Sequence, residues 1–165
     1  MTEIDRVVDE LQREFSGDPW HGSPLLQILN GISAEQAAAH PLPGAHSIWE
    51  LVLHITAWKG EVRRRLSGVP ASDPEEGDWP AVGDPTPERW WRTLEAVRAA
   101  HDRLLAAIRE LPEESLSQPT NDPRNRPLGT GVSYYVLLHG IVQHDVYHSG
   151  QIAILKKALE SQGQA

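Results

Sequence analysis

Two histidines, His144 and His148, lie four residues apart in the stretch QHDVYHSGQI at 143–152. If this stretch is helical, both imidazoles lie on one face of the helix and are close enough to bind the same metal ion. The chain contains eight histidines, so a pair with this spacing arises readily by chance and is weak evidence on its own. A metal site therefore requires a further ligand that faces the pair from a neighbouring element.

Four long segments have the apolar periodicity of helices, and each is bounded by capping or stop residues. The clearest start is a capping box formed by Ser47 and Glu50, and the third helix is opened by Thr86 and Pro87. The predicted helices cover residues 2–17, 47–68, 86–112 and 132–159. This pattern predicts an all-α fold, a four-helix bundle with long connectors, in which residues 1–165 form one domain.

The connectors between these helices differ in composition. Residues 18–46 contain two short helical pieces broken at Gly31, followed by a loop rich in Pro and Gly. Residues 68–87 are rich in Pro, Gly and acidic side chains, which predicts an ordered or partly mobile loop. Residues 112–131 form another predicted loop.

Composition and charge exclude several classes of function. Fifteen Lys and Arg against 23 Asp and Glu give a net charge of −8, which repels nucleic-acid backbones and anionic membrane surfaces. The chain has no cysteine, so any thiol chemistry needs a thiol from outside the protein. No apolar run approaches the roughly 18 residues that span a bilayer. We therefore expect a cytoplasmic protein with no nucleic-acid or membrane partner.

A third histidine, His54, provides the further ligand. At about 100° per residue, His144 and His148 fall on the apolar stripe of the last predicted helix, and His54 falls on that of the second. Both stripes face the interior of a bundle, so the three imidazoles can converge. Three neutral imidazoles with an open fourth position suit a catalytic zinc or a similar divalent ion. The alternative is a set of core histidines whose ring nitrogens are satisfied by hydrogen bonds.

Two segments, AHSIWELVLHITAW in the second predicted helix and HDVYHSGQIAILKKAL in the last, resemble the DinB/YfiT-like superfamily of metal-dependent enzymes. The specific part is an interior His in the second helix together with a His-x-x-x-His-x-x-Gly-Gln run in the last. The resemblance implies a four-helix bundle, often dimeric, in which His54, His144 and His148 hold a divalent metal. It also implies a transferase or isomerase that uses a low-molecular-weight thiol, although many members have no assigned reaction.

A general base for such an enzyme has two candidates in the sequence. Glu61 lies close to His54 on the helical wheel, and His101 lies on the apolar stripe of the third predicted helix. For Glu61 the alternative is a hydrogen-bonding partner of a metal ligand, and for His101 the simpler interpretation is a satisfied core histidine. His139 faces away from His144 on the same helix and cannot share its metal.

These observations favour a divalent-metal-dependent enzyme that acts on a small-molecule substrate. Zinc and nickel are the expected ions, because imidazole ligands suit both. The predicted reaction is transfer to a low-molecular-weight thiol or hydrolysis, since both use a nucleophile activated at the open position. The alternative is a non-catalytic helical interaction domain, or a domain that the metal merely stabilises.

The last predicted helix also has a second apolar face, opposite the histidine stripe. Its members are Tyr135, Leu138, Val142, Val146 and Ala153. One bundle core cannot cover both faces of a helix, so either the connectors or a second copy of the chain must cover this one. We expect a homodimer.

Overall fold

The structure, a computed structural model, describes residues 1–122 and 132–162, and its regular elements in these ranges are helices. The helices are α1 (Glu3–Ser16), α2 (Leu25–Leu29), α3 (Ala34–Ala38), α4 (Ile48–Leu66), α5 (Pro87–Arg109) and α6 (Tyr134–Gln162), with a 3₁₀ turn at Glu113–Ser115. No β-strand occurs in the described ranges, which confirms the predicted all-α fold. None of the described helices is long and apolar enough to cross a bilayer. Part of the loop predicted at 112–131 lies outside the described residues.

Side-chain caps determine where the long helices begin. The Ser47 hydroxyl accepts a hydrogen bond from the Glu50 backbone N–H at 3.2 Å, and the Glu50 carboxylate accepts one from the Ser47 N–H at 2.6 Å. The capping box predicted at the start of α4 is therefore confirmed. Thr2 caps α1 in the same way, and Thr86 caps α5 with Pro87 in its first turn. Each such cap contributes about 1 kcal/mol, which is why sequence alone indicates these boundaries.

The apolar core of the bundle is divided into two clusters. The first contains Trp49 of α4, Val97 of α5 and Ile152 of α6, and it is covered by α2 and α3. The second contains Leu11 of α1, Leu104 of α5 and several residues of α4 and α6. α4 packs against both α5 and α6, and α1 also contacts both of these helices. The four long helices therefore form one bundle, and its interior contains two separate apolar clusters along its length.

The second apolar face of α6 is partly covered by the same chain. Leu138 is completely buried in the cluster that includes α1, and Val142 is half-buried against that cluster. α2 also packs against α6. The reason for expecting a dimer at these two residues therefore does not hold. The apolar residues of α6 that remain exposed are Tyr135, Val136, Tyr147 and Ile154.

A layer of four titratable side chains separates the two apolar clusters. Each long helix contributes one of them: Glu14 from α1, Lys59 from α4, His101 from α5 and Asp145 from α6. The Lys59 ammonium is fully buried and forms an ion pair with the Asp145 carboxylate. It also lies 3.7 Å from the Glu14 carboxylate and 3.5 Å from His101 Nδ1. This layer is the polar centre of the bundle.

Burial changes the protonation of two members of this layer. Burial, together with the nearby Asp145 carboxylate, raises the pKa of Glu14 to about 9. Burial, together with the Lys59 ammonium, lowers the pKa of His101 to about 3. Glu14 therefore holds a proton at neutral pH, and His101 is uncharged. The buried layer is left with one pair of opposite charges, Lys59 and Asp145.

The protonated state of Glu14 predicts a pH-dependent stability. Between pH 5 and 8 the unfolded chain has released this proton while the folded chain retains it, so folding loses stability as the pH rises. In Glu14→Gln this dependence is absent. Urea unfolding should show that the free energy of unfolding of the variant, relative to that of the wild type, increases by up to about 1.4 kcal/mol for each unit by which the pH rises. The exposed control Glu95→Gln should follow the wild type. A constant difference between Glu14→Gln and wild type across this range would contradict a protonated Glu14.

Candidate metal centre

Three histidines converge between α4 and α6. His54 comes from α4, and His144 and His148 lie one turn apart on α6. Each offers one ring nitrogen, and the three nitrogens lie within 4.8 Å of one another, a group that could hold a metal ion. The Nε2 atoms of His54 and His144 are 3.0 Å apart. Two nitrogens bound at about 2.1 Å to one tetrahedral ion lie about 3.4 Å apart, so this spacing is near that of shared coordination.

The other nitrogen of each imidazole has an oxygen acceptor within the protein. His54 Nδ1 donates to the Asp78 backbone carbonyl at 2.6 Å, and His148 Nδ1 donates to the Gln151 side-chain oxygen at 2.7 Å. His144 Nδ1 lies 3.4 Å from the Asp145 carboxylate. Because these partners are hydrogen-bond acceptors, the Nδ1–H tautomer fits each contact, and in that tautomer Nε2 keeps its lone pair. In this tautomer the three residues form a group that could hold a divalent ion.

Burial keeps two of these imidazoles in the neutral form that binds metal. Burial, with further contributions from the neighbouring histidines, lowers the pKa of His148 to about 4. Burial is also the main cause that lowers the pKa of His54. The side chains of His54 and His148 are almost fully buried, whereas 24 % of the His144 side chain is exposed. Solvent therefore reaches the group on the side of His144.

The connector before α5 folds over the group and fixes His54. The Trp79 ring stacks on His54 with 4.0 Å between ring centroids. The His46 ring also stacks on Trp79, with 3.5 Å between centroids. The Asp78 carboxylate accepts a hydrogen bond from Trp58 Nε1 at 2.7 Å. The sequence pattern does not indicate a role for Asp78 or Trp79, because the polar composition of residues 68–87 predicts only a loop. The signal that was available is an isolated Trp within an otherwise polar connector.

The two candidate bases lie away from the three histidines. The Glu61 carboxylate accepts hydrogen bonds from Arg64, Arg65 and the Ser72 backbone N–H, so it anchors the connector that follows α4. Burial alone would raise the pKa of Glu61, but the two guanidinium groups hold it below its usual value. His101 stacks on Phe15 in the core at 3.8 Å. Neither belongs to the group that could hold a metal.

His139 also lies apart from the group, as the helical wheel indicates. Its ring nitrogens are 3.3 Å from Glu3 and 3.7 Å from Glu10, both on α1. His144 and His148 therefore lie on the opposite side of α6. Because His139 is on the same helix but outside the group, its substitution is a suitable control for substitutions of His144 and His148.

An apolar pocket of about 320 Å³ lies beside the group. Gln151, the partner of His148, forms part of its wall, as does His46, which stacks on Trp79. The remaining wall is mostly apolar and comes from Leu42, Gly44, Ala45, Leu51, Ile154 and Leu155. The pocket is of a size that accommodates the apolar part of a small molecule.

Comparison with known proteins agrees with this geometry. A family model described as the DinB superfamily matches residues 20–152, a range that contains all three histidines. The chain belongs to the DinB superfamily. This confirms the resemblance noted in the sequence, and the superfamily is metal-binding. Comparisons of this DinB-superfamily chain with curated proteins and with solved structures gave no significant match. The assignment of residues 1–165 to a single domain stays a prediction.

Proposed function

We propose that this DinB-superfamily protein is a metal-dependent enzyme in which His54, His144 and His148 hold one divalent ion, zinc or nickel. The observation that carries the proposal is that every Nδ1 is paired with a protein oxygen, while one ring nitrogen from each of the three residues lies within 4.8 Å of the others. A divalent ion bound in this way acts as a Lewis acid that lowers the pKa of a water or a thiol.

Residues around the group would shield the ion from water on one side, leave access for a small molecule on another and bind the substrate. Trp79 covers one face of His54 and shields it from water, while the exposed edge of His144 leaves an approach for a small molecule. The apolar pocket beside Gln151 would bind the apolar part of the substrate. Because the chain has no cysteine, the thiol in a transfer reaction would be a cosubstrate. A cytoplasmic location would give the enzyme access to small thiols.

Metal analysis tests the ligand set. Protein purified without a histidine tag should carry about one divalent ion per chain, and His148→Ala should lose most of it. His139→Ala removes a histidine from the same helix on the side facing α1 and should keep the wild-type content. Full metal content in a variant with all three of His54, His144 and His148 replaced by alanine would disprove the assignment.

Turnover assays distinguish the reactions. With the metal-loaded protein and a panel of small electrophiles, consumption should require an added low-molecular-weight thiol and should stop when the metal is removed with a chelator. Turnover that proceeds equally well without thiol would establish the hydrolase instead. A metal-loaded protein that leaves every electrophile and ester unchanged would favour the non-catalytic interaction domain.

We propose further that the protein is a homodimer through the exposed side of α6. Val136, Tyr147 and Ile154 are half or more exposed on this helix, and Gly140 and Gly150 between them leave open space where a partner helix can approach closely. Sedimentation at micromolar concentration should show a dimer, and Val136→Glu should run as a monomer with unchanged metal content, because an unpaired buried charge disfavours the interface. A wild-type monomer at this concentration would exclude the dimer.

A further inference from the structure

A buried ion pair between α4 and α6 lies next to the three-histidine group. One oxygen of the Asp145 carboxylate, Oδ2, accepts a hydrogen bond from the Lys59 ammonium, and the other, Oδ1, lies 3.4 Å from His144 Nδ1. The side chains of Lys59 and Asp145 are both completely buried. A single carboxylate therefore connects an ammonium in the centre of the bundle to one of the histidines that face the candidate metal site.

The same two helices are joined twice within a short distance. His54 of α4 faces His144 of α6, and Lys59 of α4 pairs with Asp145 of α6. Lys59 lies five residues after His54, and Asp145 is adjacent to His144. The ion pair thus joins α4 and α6 beside the place where their histidines converge.

Stability alone does not explain a charge at this position. Removing an ammonium from water is costly, and an apolar side chain of similar volume stabilises a core at least as well as most buried ion pairs do. The other neighbours of Lys59 offset part of the cost: Glu14 lies at 3.7 Å, His101 at 3.5 Å, and the Phe15 ring centroid at 5.4 Å. What only the charge provides is a fixed orientation of the Asp145 carboxylate, because Lys59 holds one oxygen and leaves the other toward His144.

We propose that Lys59 is a positioning residue for the metal centre, which acts through Asp145 to fix the orientation and the tautomer of His144. Lys59 holds the carboxylate, the carboxylate accepts a hydrogen bond from Nδ1–H, and the Nε2 lone pair is thereby directed toward the other two histidines. The role rests on the proposed function, since it concerns the ligand set of the same ion. Lys59 itself contacts none of the three histidines through a hydrogen bond among the described residues.

The test compares Lys59→Met with wild type by two measurements. Met keeps the length and the apolar stem of Lys but removes the ammonium, so the Asp145 carboxylate loses the group that orients it. Zinc affinity, measured by competition with a chelator, should fall by about 10- to 100-fold. In metal-free protein, nitrogen-15 NMR of the His144 ring should change from the Nδ1–H tautomer of the wild type to a mixture of tautomers.

His101→Phe is the matched control. It removes another member of the buried layer that contacts Lys59, and it keeps a ring that can stack on Phe15. Zinc affinity should stay within about twofold of wild type, because His101 does not touch the Asp145 contact with His144. A loss of affinity equal to that of Lys59→Met would show that any damage to the layer weakens the site, and would overturn the proposal.

If Lys59→Met does not fold because its core then contains an unpaired Asp145 carboxylate, a double variant provides the test. Lys59→Met combined with Asp145→Leu removes both charges together and restores an apolar interior. The same loss of zinc affinity and the same mixture of His144 tautomers are expected, because the acceptor is gone. Wild-type affinity and an unchanged tautomer in this folded variant would overturn the proposal. If wild-type protein binds no zinc or nickel, the proposed function fails, while the tautomer measurement still decides the role of Lys59.

Discussion

An ammonium group in the middle of a helical bundle must be paired, because an uncompensated buried charge costs several kcal/mol. Lys59 meets this requirement with the Asp145 carboxylate, and Glu14 and His101 complete the layer from the other two long helices. All four helices therefore contribute to one polar contact. A shift of any of these helices along the bundle would leave the charge pair incompletely surrounded.

The layer also explains how the interior is divided. An apolar cluster containing Trp49 lies on one side of it, and a second cluster containing Leu11 lies on the other. The three-histidine group sits beside this layer, where the Asp145 carboxylate reaches His144. A site that must present three nitrogens to one point requires rigid supports, and two closely packed helices with a fixed ion pair between them provide such a support.

The connector before α5 is as much a part of the site as the helices are. The Asp78 carbonyl fixes the tautomer of His54, and Trp79 covers the ring of the same histidine. Glu61 holds the preceding stretch of this connector through its bonds to Arg64 and Ser72. A residue that looks like a candidate base in the sequence thus serves to anchor the segment that completes the candidate metal centre.

The sequence by itself determined the helices, the bundle and the three converging histidines. These features depend on local rules: a cap such as Ser47 is read from its neighbours, and the inward direction of His54 or His144 follows from the helical period. Membership in the DinB superfamily was also visible in the segments around these histidines.

Only the tertiary structure decided what surrounds the histidines. Lys59 lies about 140° from His54 on the helical wheel, where a lysine normally faces solvent, and its partner Asp145 is 86 residues away in the chain. The acceptor for His54, the Asp78 carbonyl, belongs to a backbone whose path no periodicity specifies. Such contacts form only when separate helices and connectors have packed together, because a hydrogen bond between distant residues depends on their positions in space and leaves no pattern in the local sequence.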